Sequence, residues 1–242
     1  MSKNLINGGG ALIRALADEN IDLIFGYPGG AALHIYDAIY QQNEVQHILV
    51  RHEQAAVHAA DGYARATGKP GVALVTSGPG ATNLVTGIAT AQMDSVPLVV
   101  VTGQVPRPAI GTDAFQETDI FGITLPIVKH SWVIRNPSDI AKVVSEAFFI
   151  ASSGRPGPVL IDIPKDVGQE YFNYQRVLPG EIIPKGFKRN GEINDSDINK
   201  AIKLIEDSER PLLYVGGGAI SSGAHDEIKL WQRIIKYQLP QP

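Results

Sequence analysis

Glu53 is the residue with the clearest chemical potential. It stands where an apolar run, Ile48, Leu49 and Val50, gives way through Arg51 and His52 to alanines at helical spacing, Ala55, Ala56, Ala59 and Ala60. A carboxylate in the first turn of a helix complements the macrodipole, and the same position, near the carboxyl end of a strand, is where open α/β sheets bind ligands. Ser77-Gly78-Pro79-Gly80-Ala81-Thr82-Asn83 follows a second apolar run, Val72 to Val75. Its glycines permit either a tight strand-to-helix turn or close approach of backbone to a ligand. A dinucleotide loop needs glycine or alanine where Asn83 stands, so that pattern is incomplete. Gly216-Gly217-Gly218 poses the same choice later in the chain, between a flexible turn and a backbone approach to a phosphate or adenosine moiety. Arg107, Gln116, Glu117 and Lys165 fall in loops near predicted strand ends, a place for solvated side chains as much as for ligands. His52, Glu53 and His58 miss the zinc-protease spacing because position 56 is alanine, and His34, His47, His130 and His225 are isolated, so no metal site is expected.

These residues need elements to position them. Leu5, Ile6, Leu12, Ile13 and Leu16 mark a first helix interrupted by Gly8-Gly9-Gly10, which either delay the helix to Ala11 or permit close packing. Residues 21–26 read as a strand, Tyr27-Pro28-Gly29-Gly30 as a turn, and residues 31–40 as a helix. The stretch around Glu53 then reads as a strand, a helix that stops at Gly68-Lys69-Pro70, and a strand over residues 72–75. A helix over 81–93, a buried strand over 97–102, a long loop over 103–121, a strand over 129–135, a helix to 152 and a strand over 157–163 follow. Regular alternation of this kind predicts an α/β fold with a doubly wound parallel sheet and flanking helices. We expect a first domain over 1–165, a linker over 166–194, and the incomplete start of a second α/β domain over 195–242, with a helix over 195–205 and a strand over 211–215.

The chain has 242 residues, a net charge of -4 and no cysteine. Scattered basic residues offer no footprint for nucleic acid or an anionic membrane. No stretch reaches the ~18 uninterrupted apolar residues of a membrane span, and the missing cysteines suit a reducing compartment, so the expected location is cytoplasmic.

Long stretches of the sequence resemble the catalytic subunits of acetolactate (acetohydroxyacid) synthases, a family of thiamine-diphosphate enzymes in branched-chain amino-acid biosynthesis. They are FGYPGG at 25–30, RHEQAAVHAADGYARATGKPG at 51–71, TSGPGATNLVTGIA at 76–89, PLVVVTGQVP at 97–106, AFQETDIFGIT at 114–124, KHSW at 129–132 and GRPGPVLIDIPKDV at 154–167. The resemblance implies that the first domain binds the cofactor's pyrimidine, that Glu53 hydrogen-bonds N1′ of that ring, and that Gly30, Ala31, Gly78, Pro79 and Asn83 lie around it. It places Phe115, Gln116 and Lys165 on the substrate side, and matches Arg155, Gly216, Gly217 and Gly218 to flavin contacts. The implied reaction decarboxylates pyruvate and adds the remaining fragment to a second 2-keto acid. The implied cofactors are thiamine diphosphate, FAD and Mg2+, the last held by a Gly-Asp-Gly domain not found in these residues. The implied assembly is a homodimer through the pyrimidine-binding domain, with a possible regulatory small subunit.

Other thiamine-diphosphate carboligases or a pyruvate oxidase share the glutamate and the Gly-Pro-Gly turn, and a non-catalytic α/β dimerisation module is the reading from another class. The resemblance fades after Leu230, where WQRIIKYQLPQP replaces an expected strand. Codons for QRIIKYQLPQP read one nucleotide earlier can give AENYQIPVTTT, so we expect a frameshifted, truncated product that lacks activity alone.

Overall fold

The computed structural model describes residues 5–186 and 193–238. They fall into two compact units, residues 1–187 and 188–242. The strands are β1 (Leu5–Asn7), β2 (Leu23–Tyr27), β3 (Gln46–Leu49), β4 (Gly71–Val75), β5 (Leu98–Gln104), β6 (His130–Val133), β7 (Pro158–Pro164) and β8 (Tyr171–Asn173). The helices are α1 (Gly8–Asp18), α2 (Leu33–Tyr40), α3 (Glu53–Thr67), α4 (Pro79–Thr82), α5 (Val85–Asp94), α6 (Ile120–Thr124), α7 (Ile140–Ser152), α8 (Lys165–Gln169), α9 (Asp195–Glu206), α10 (Gly217–Ser221) and α11 (His225–Gln238).

Six strands form one parallel sheet in the order β3-β2-β4-β5-β7-β6. Every residue of β4, β5 and β7 is buried, as central parallel strands covered on both faces must be. Alternate strand residues feed two separate cores. Val72, Leu74, Val99, Val101 and Ile161 pack with α1, α2 and α7, whereas Ala73, Val75, Val100 and Leu160 pack with α3 and α5. The sheet is therefore doubly wound.

The glycines of α1 are helical and serve close packing. A Cβ on Gly8 would lie 2.2 Å from the Val167 carbonyl oxygen, and one on Gly9 would lie 2.3 Å from that of His34. The helix expected over 81–93 is instead two, α4 and α5, separated at Asn83 and Leu84.

The segment expected as a linker begins with ordered structure: α8 packs near Gly8, and β8 pairs antiparallel with β1 in the register Leu5↔Asn173. Tyr174, next in the chain, is buried and donates to the Asp18 carboxylate at 3.0 Å. Residues 187–192 of that segment lie outside the described residues.

In the second unit α9 forms where amphipathic spacing predicts it, its first turn capped by Asn194. Residues 211–215, expected as a strand, have no strand partner among the described residues, and Leu212 and Tyr214 are exposed. An apolar run becomes a strand only where a neighbour supplies hydrogen bonds. Helix α11 occupies most of the stretch where the resemblance leads to a strand, and residues 239–242 lie outside the described residues.

Candidate active site

The sheet's winding direction reverses between β2 and β4. From β2 the chain passes to β3 on one side, then crosses to β4 on the other and continues to β5. The loops leaving β2 and β4 therefore diverge to opposite faces and open a crevice at their carboxyl ends, the place where sheets of this kind bind ligands.

Glu53 opens α3 beside this crevice. His52 caps the helix with extended backbone, its ring Nδ1 accepting the Gln54 N–H at 3.1 Å, and Gly68 ends it in the left-handed region at φ 74°. The Glu53 side chain is half-buried. Its Oε2 accepts from Asn83 Nδ2 at 2.9 Å, and its Oε1 faces Gly80, where a Cβ would stand 3.3 Å away.

Thr76 ties the two loops together. It is buried at the exit of β4, and its Oγ1 accepts the Ala31 N–H at 3.3 Å. A Cβ on Gly29 would come within 2.4 Å of its side chain, and one on Gly80 within 2.7 Å. Sequence reasoning missed Thr76, although its position directly before Ser77-Gly78-Pro79-Gly80 was the available signal. Tyr36 of α2 was missed as well. Its hydroxyl donates to the Leu74 carbonyl at 3.0 Å, and burial, seconded by the charge of Glu53, pushes its phenol well up.

Gly78 has φ 59° and ψ -124°, and a Cβ there would meet the Gln116 carbonyl oxygen at 2.5 Å. The long loop after β5 thus folds back over the glycine turn and brings Gln116 to it. Phe115 is 88% exposed and Gln116 is exposed beside it. Glu117 staples this loop: its carboxylate accepts N–H groups from Gly111 and Ala114, which hold it below the usual carboxylate range. Pro79 and Gly30 are exposed, a Cβ on Gly30 would meet nothing within 4 Å, and Ala31 is half-buried.

Lys165 opens α8 directly after β7, on the same carboxyl edge. Its neighbour Asp166 accepts from Arg107 Nε at 2.7 Å, and Arg107 also reaches Glu170 and the Arg135 carbonyl, so Arg107 locks the exits of β5 and β7.

Arg155 lies apart from this group. It precedes β7 at the amino edge of the parallel sheet, where its guanidinium donates to Ser95 Oγ at 2.7 Å and to the Met93 carbonyl at 2.9 Å. Gly216, Gly217 and Gly218 belong to the second unit, where they lead into and begin α10. A Cβ at any of the three would meet nothing within 4 Å, so nothing in their own unit requires glycine there.

The crevice suits the aminopyrimidine end of thiamine diphosphate, because a carboxylate with one oxygen steadied by Asn83 offers the other to a ring nitrogen. The glycine turns keep its walls free of side chains. Among the described residues no three His, Cys, Asp or Glu gather where they could hold a metal ion.

Residues 6–123 match the family described as thiamine pyrophosphate enzyme, N-terminal TPP binding domain, TPP being thiamine diphosphate. The chain is 67% identical over 238 residues to the acetolactate synthase large subunit of Parasynechococcus marenigrum (strain WH8102), covering 97% of this chain and 38% of that protein. It is 61% identical over 226 residues to the acetolactate synthase of Arthrospira platensis, covering 92% of this chain and 39% of that protein. Identity to the acetolactate synthase large subunit of Corynebacterium glutamicum is 51% over 224 residues, covering 93% and 36%. The chain spans about two fifths of the length of these relatives. Residues 6–123, which hold the crevice at Glu53, match the N-terminal TPP binding domain of thiamine pyrophosphate enzymes.

Proposed function

We propose that this chain supplies the pyrimidine-binding half of a thiamine-diphosphate-dependent synthase that makes acetolactate or acetohydroxybutyrate from pyruvate and a second 2-keto acid. The observation that carries the proposal is the Glu53–Asn83 pair at the crevice, walled by turns in which Gly29, Gly78 and Gly80 admit no side chain.

Bound there, the cofactor supplies the nucleophilic carbon that takes up the 2-keto acid. Glu53 holds and moves a proton at the pyrimidine ring nitrogen through Oε1, while Asn83 fixes its rotamer through Oε2. Gly30, Ala31, Gly78 and Pro79 line the approach. Phe115 and Gln116 present themselves at the mouth, with Phe115 covering apolar substrate surface and Lys165 attracting the substrate carboxylate. The proposal extends to FAD as a cofactor, to Mg2+ held by partner elements, to a homodimer with a regulatory small subunit, and to a cytoplasmic setting. No helix among the described residues is long and apolar enough to cross a membrane.

The test is a chimera in which these residues replace the matching segment of the Parasynechococcus marenigrum enzyme. Acetolactate formation from pyruvate should persist, and Glu53→Gln should lower it at least ~100-fold, the scale of a lost acid–base group. A folded chimera that is silent, or one indifferent to Glu53→Gln, would sink the proposal. The 242-residue chain assayed alone with thiamine diphosphate, Mg2+ and FAD should not turn over.

A further inference from the structure

A second carboxyl lies behind the site. Asp162, in β7 opposite Thr102 of β5, is 1% exposed. Its Oδ1 accepts from the Thr102 hydroxyl at 2.6 Å and its Oδ2 from Gln104 Nε2 at 2.9 Å. An amide nitrogen carries two protons. The other proton of Gln104 Nε2 goes to the Thr118 carbonyl at 3.1 Å, while Gln104 Oε1 accepts the Val105 N–H at 2.9 Å. Thr118 is two residues beyond Gln116, whose backbone presses on Gly78. One buried carboxyl therefore reaches the loop at the mouth of the site through a single saturated amide.

We infer that Asp162 is a positioning residue: it fixes the Gln104 amide, which holds Thr118 and so seats Gln116 against Gly78. Its consequence for substrate rests on the function proposed above, and its consequence for the loop does not. A buried polar cluster that merely stabilised the core would make the same hydrogen bonds, so the test must read the loop separately from the fold.

Asp162→Leu removes both acceptors and leaves the Gln104 amide free to turn. Asp162→Asn keeps the link, because its oxygen can accept from Gln104 and its nitrogen can donate to the Thr102 hydroxyl. Hydrogen exchange of the intact 242-residue protein should rise about tenfold in peptides spanning 111–118 in Asp162→Leu, with β4 and α3 unchanged. Asp162→Asn should stay within about twofold of the parent. Gln104→Leu, which cuts the same link from the other end, should match Asp162→Leu and serves if that variant does not fold. Loop exchange unaltered in Gln104→Leu, or raised equally in Asp162→Asn, overturns the inference.

In the chimera, Asp162→Leu should raise the KM for pyruvate more than it lowers kcat, with Asp162→Asn restoring both. Unchanged kinetics in an active Asp162→Leu chimera also overturns it. A silent parent chimera counts against the proposed function and leaves the exchange result to judge this one.

Discussion

The hydrogen bond from Asn83 to Glu53 makes a specific demand on catalysis, because a carboxylate that must meet a ring nitrogen works only in one rotamer. Asn83→Ala removes the steadying donor but not the carboxyl. In the chimera it should cost about 10- to 100-fold in kcat/KM, less than Glu53→Gln, and a loss equal to that of Glu53→Gln would show that Asn83 does more than orient. Asp162 makes a different prediction. Burial pushes its carboxyl up to about 7, with Thr102 and Gln104 pulling it down and Asp119 pushing it up. A folded-state value above the unfolded one means that the native protein keeps a proton the unfolded chain releases. Its contribution to stability is full below about pH 4 and is lost as pH rises to about 7, a change on the order of a few kcal/mol. Asp162→Asn cannot titrate, so the stability difference between variant and parent in urea should shift toward the variant as pH rises from 4 to 7, then level off. A difference independent of pH would refute that. Asn83 was legible as a residue in a glycine-rich turn but not as a partner of Glu53, since the two stand thirty positions apart and only the fold brings them together. Asp162 sits in an apolar run where a single acid carries no periodic signal.

Among the elements, α1 and α3 contain glycines of opposite meaning. In a helix, Gly→Ala gains about 1 kcal/mol from backbone propensity alone. Gly62 of α3 is exposed with open space around it, so Gly62→Ala should realise most of that gain. Gly9 faces the His34 carbonyl, where a Cβ would be 2.3 Å from oxygen, and overpacking against backbone costs about 1–3 kcal/mol or more, so Gly9→Ala should be a net loss. For a unit of this size the melting temperature should fall by several degrees in Gly9→Ala and rise by a few in Gly62→Ala. Calorimetry showing both rising would refute the packing argument for α1. The six strands of the parallel sheet were readable because each is a short apolar run and each is paired in the folded sheet. Residues 211–215 show the limit, having strand composition without a strand beside them among the described residues. The pairing of β8 with β1 was unreadable for the converse reason, since it joins two short, mostly exposed segments at opposite ends of the unit.

At the scale of the whole molecule, the buried apolar residues of the described chain all fall between Ala11 and Tyr174, so the first unit carries its own core. Its surface is less self-sufficient. Strand β3 is an edge of the six-stranded sheet, yet it exposes Ile48 at 45% and Leu49 at 64%, and Tyr27 and Leu33 are exposed at the same carboxyl end. An apolar edge of this kind invites association, because no Lys, Arg, Asp, Glu or proline stands within β3 itself. The occupant that fits the proposed function is a second copy of the first unit, which would bury this surface beside Glu53 and close the crevice from water. Sedimentation of the parent protein should therefore show a dimer, and Leu49→Lys should weaken it at least ~100-fold by placing a charge in the contact. The same variant should leave the melting of the monomer almost unchanged, since Leu49 is mostly exposed there and adds little to its core. In the chimera Leu49→Lys should lose acetolactate formation in step with loss of the dimer and recover it at high protein concentration. A parent protein that is monomeric, or a monomeric Leu49→Lys chimera of full activity, would show that the crevice at Glu53 is closed by some other surface.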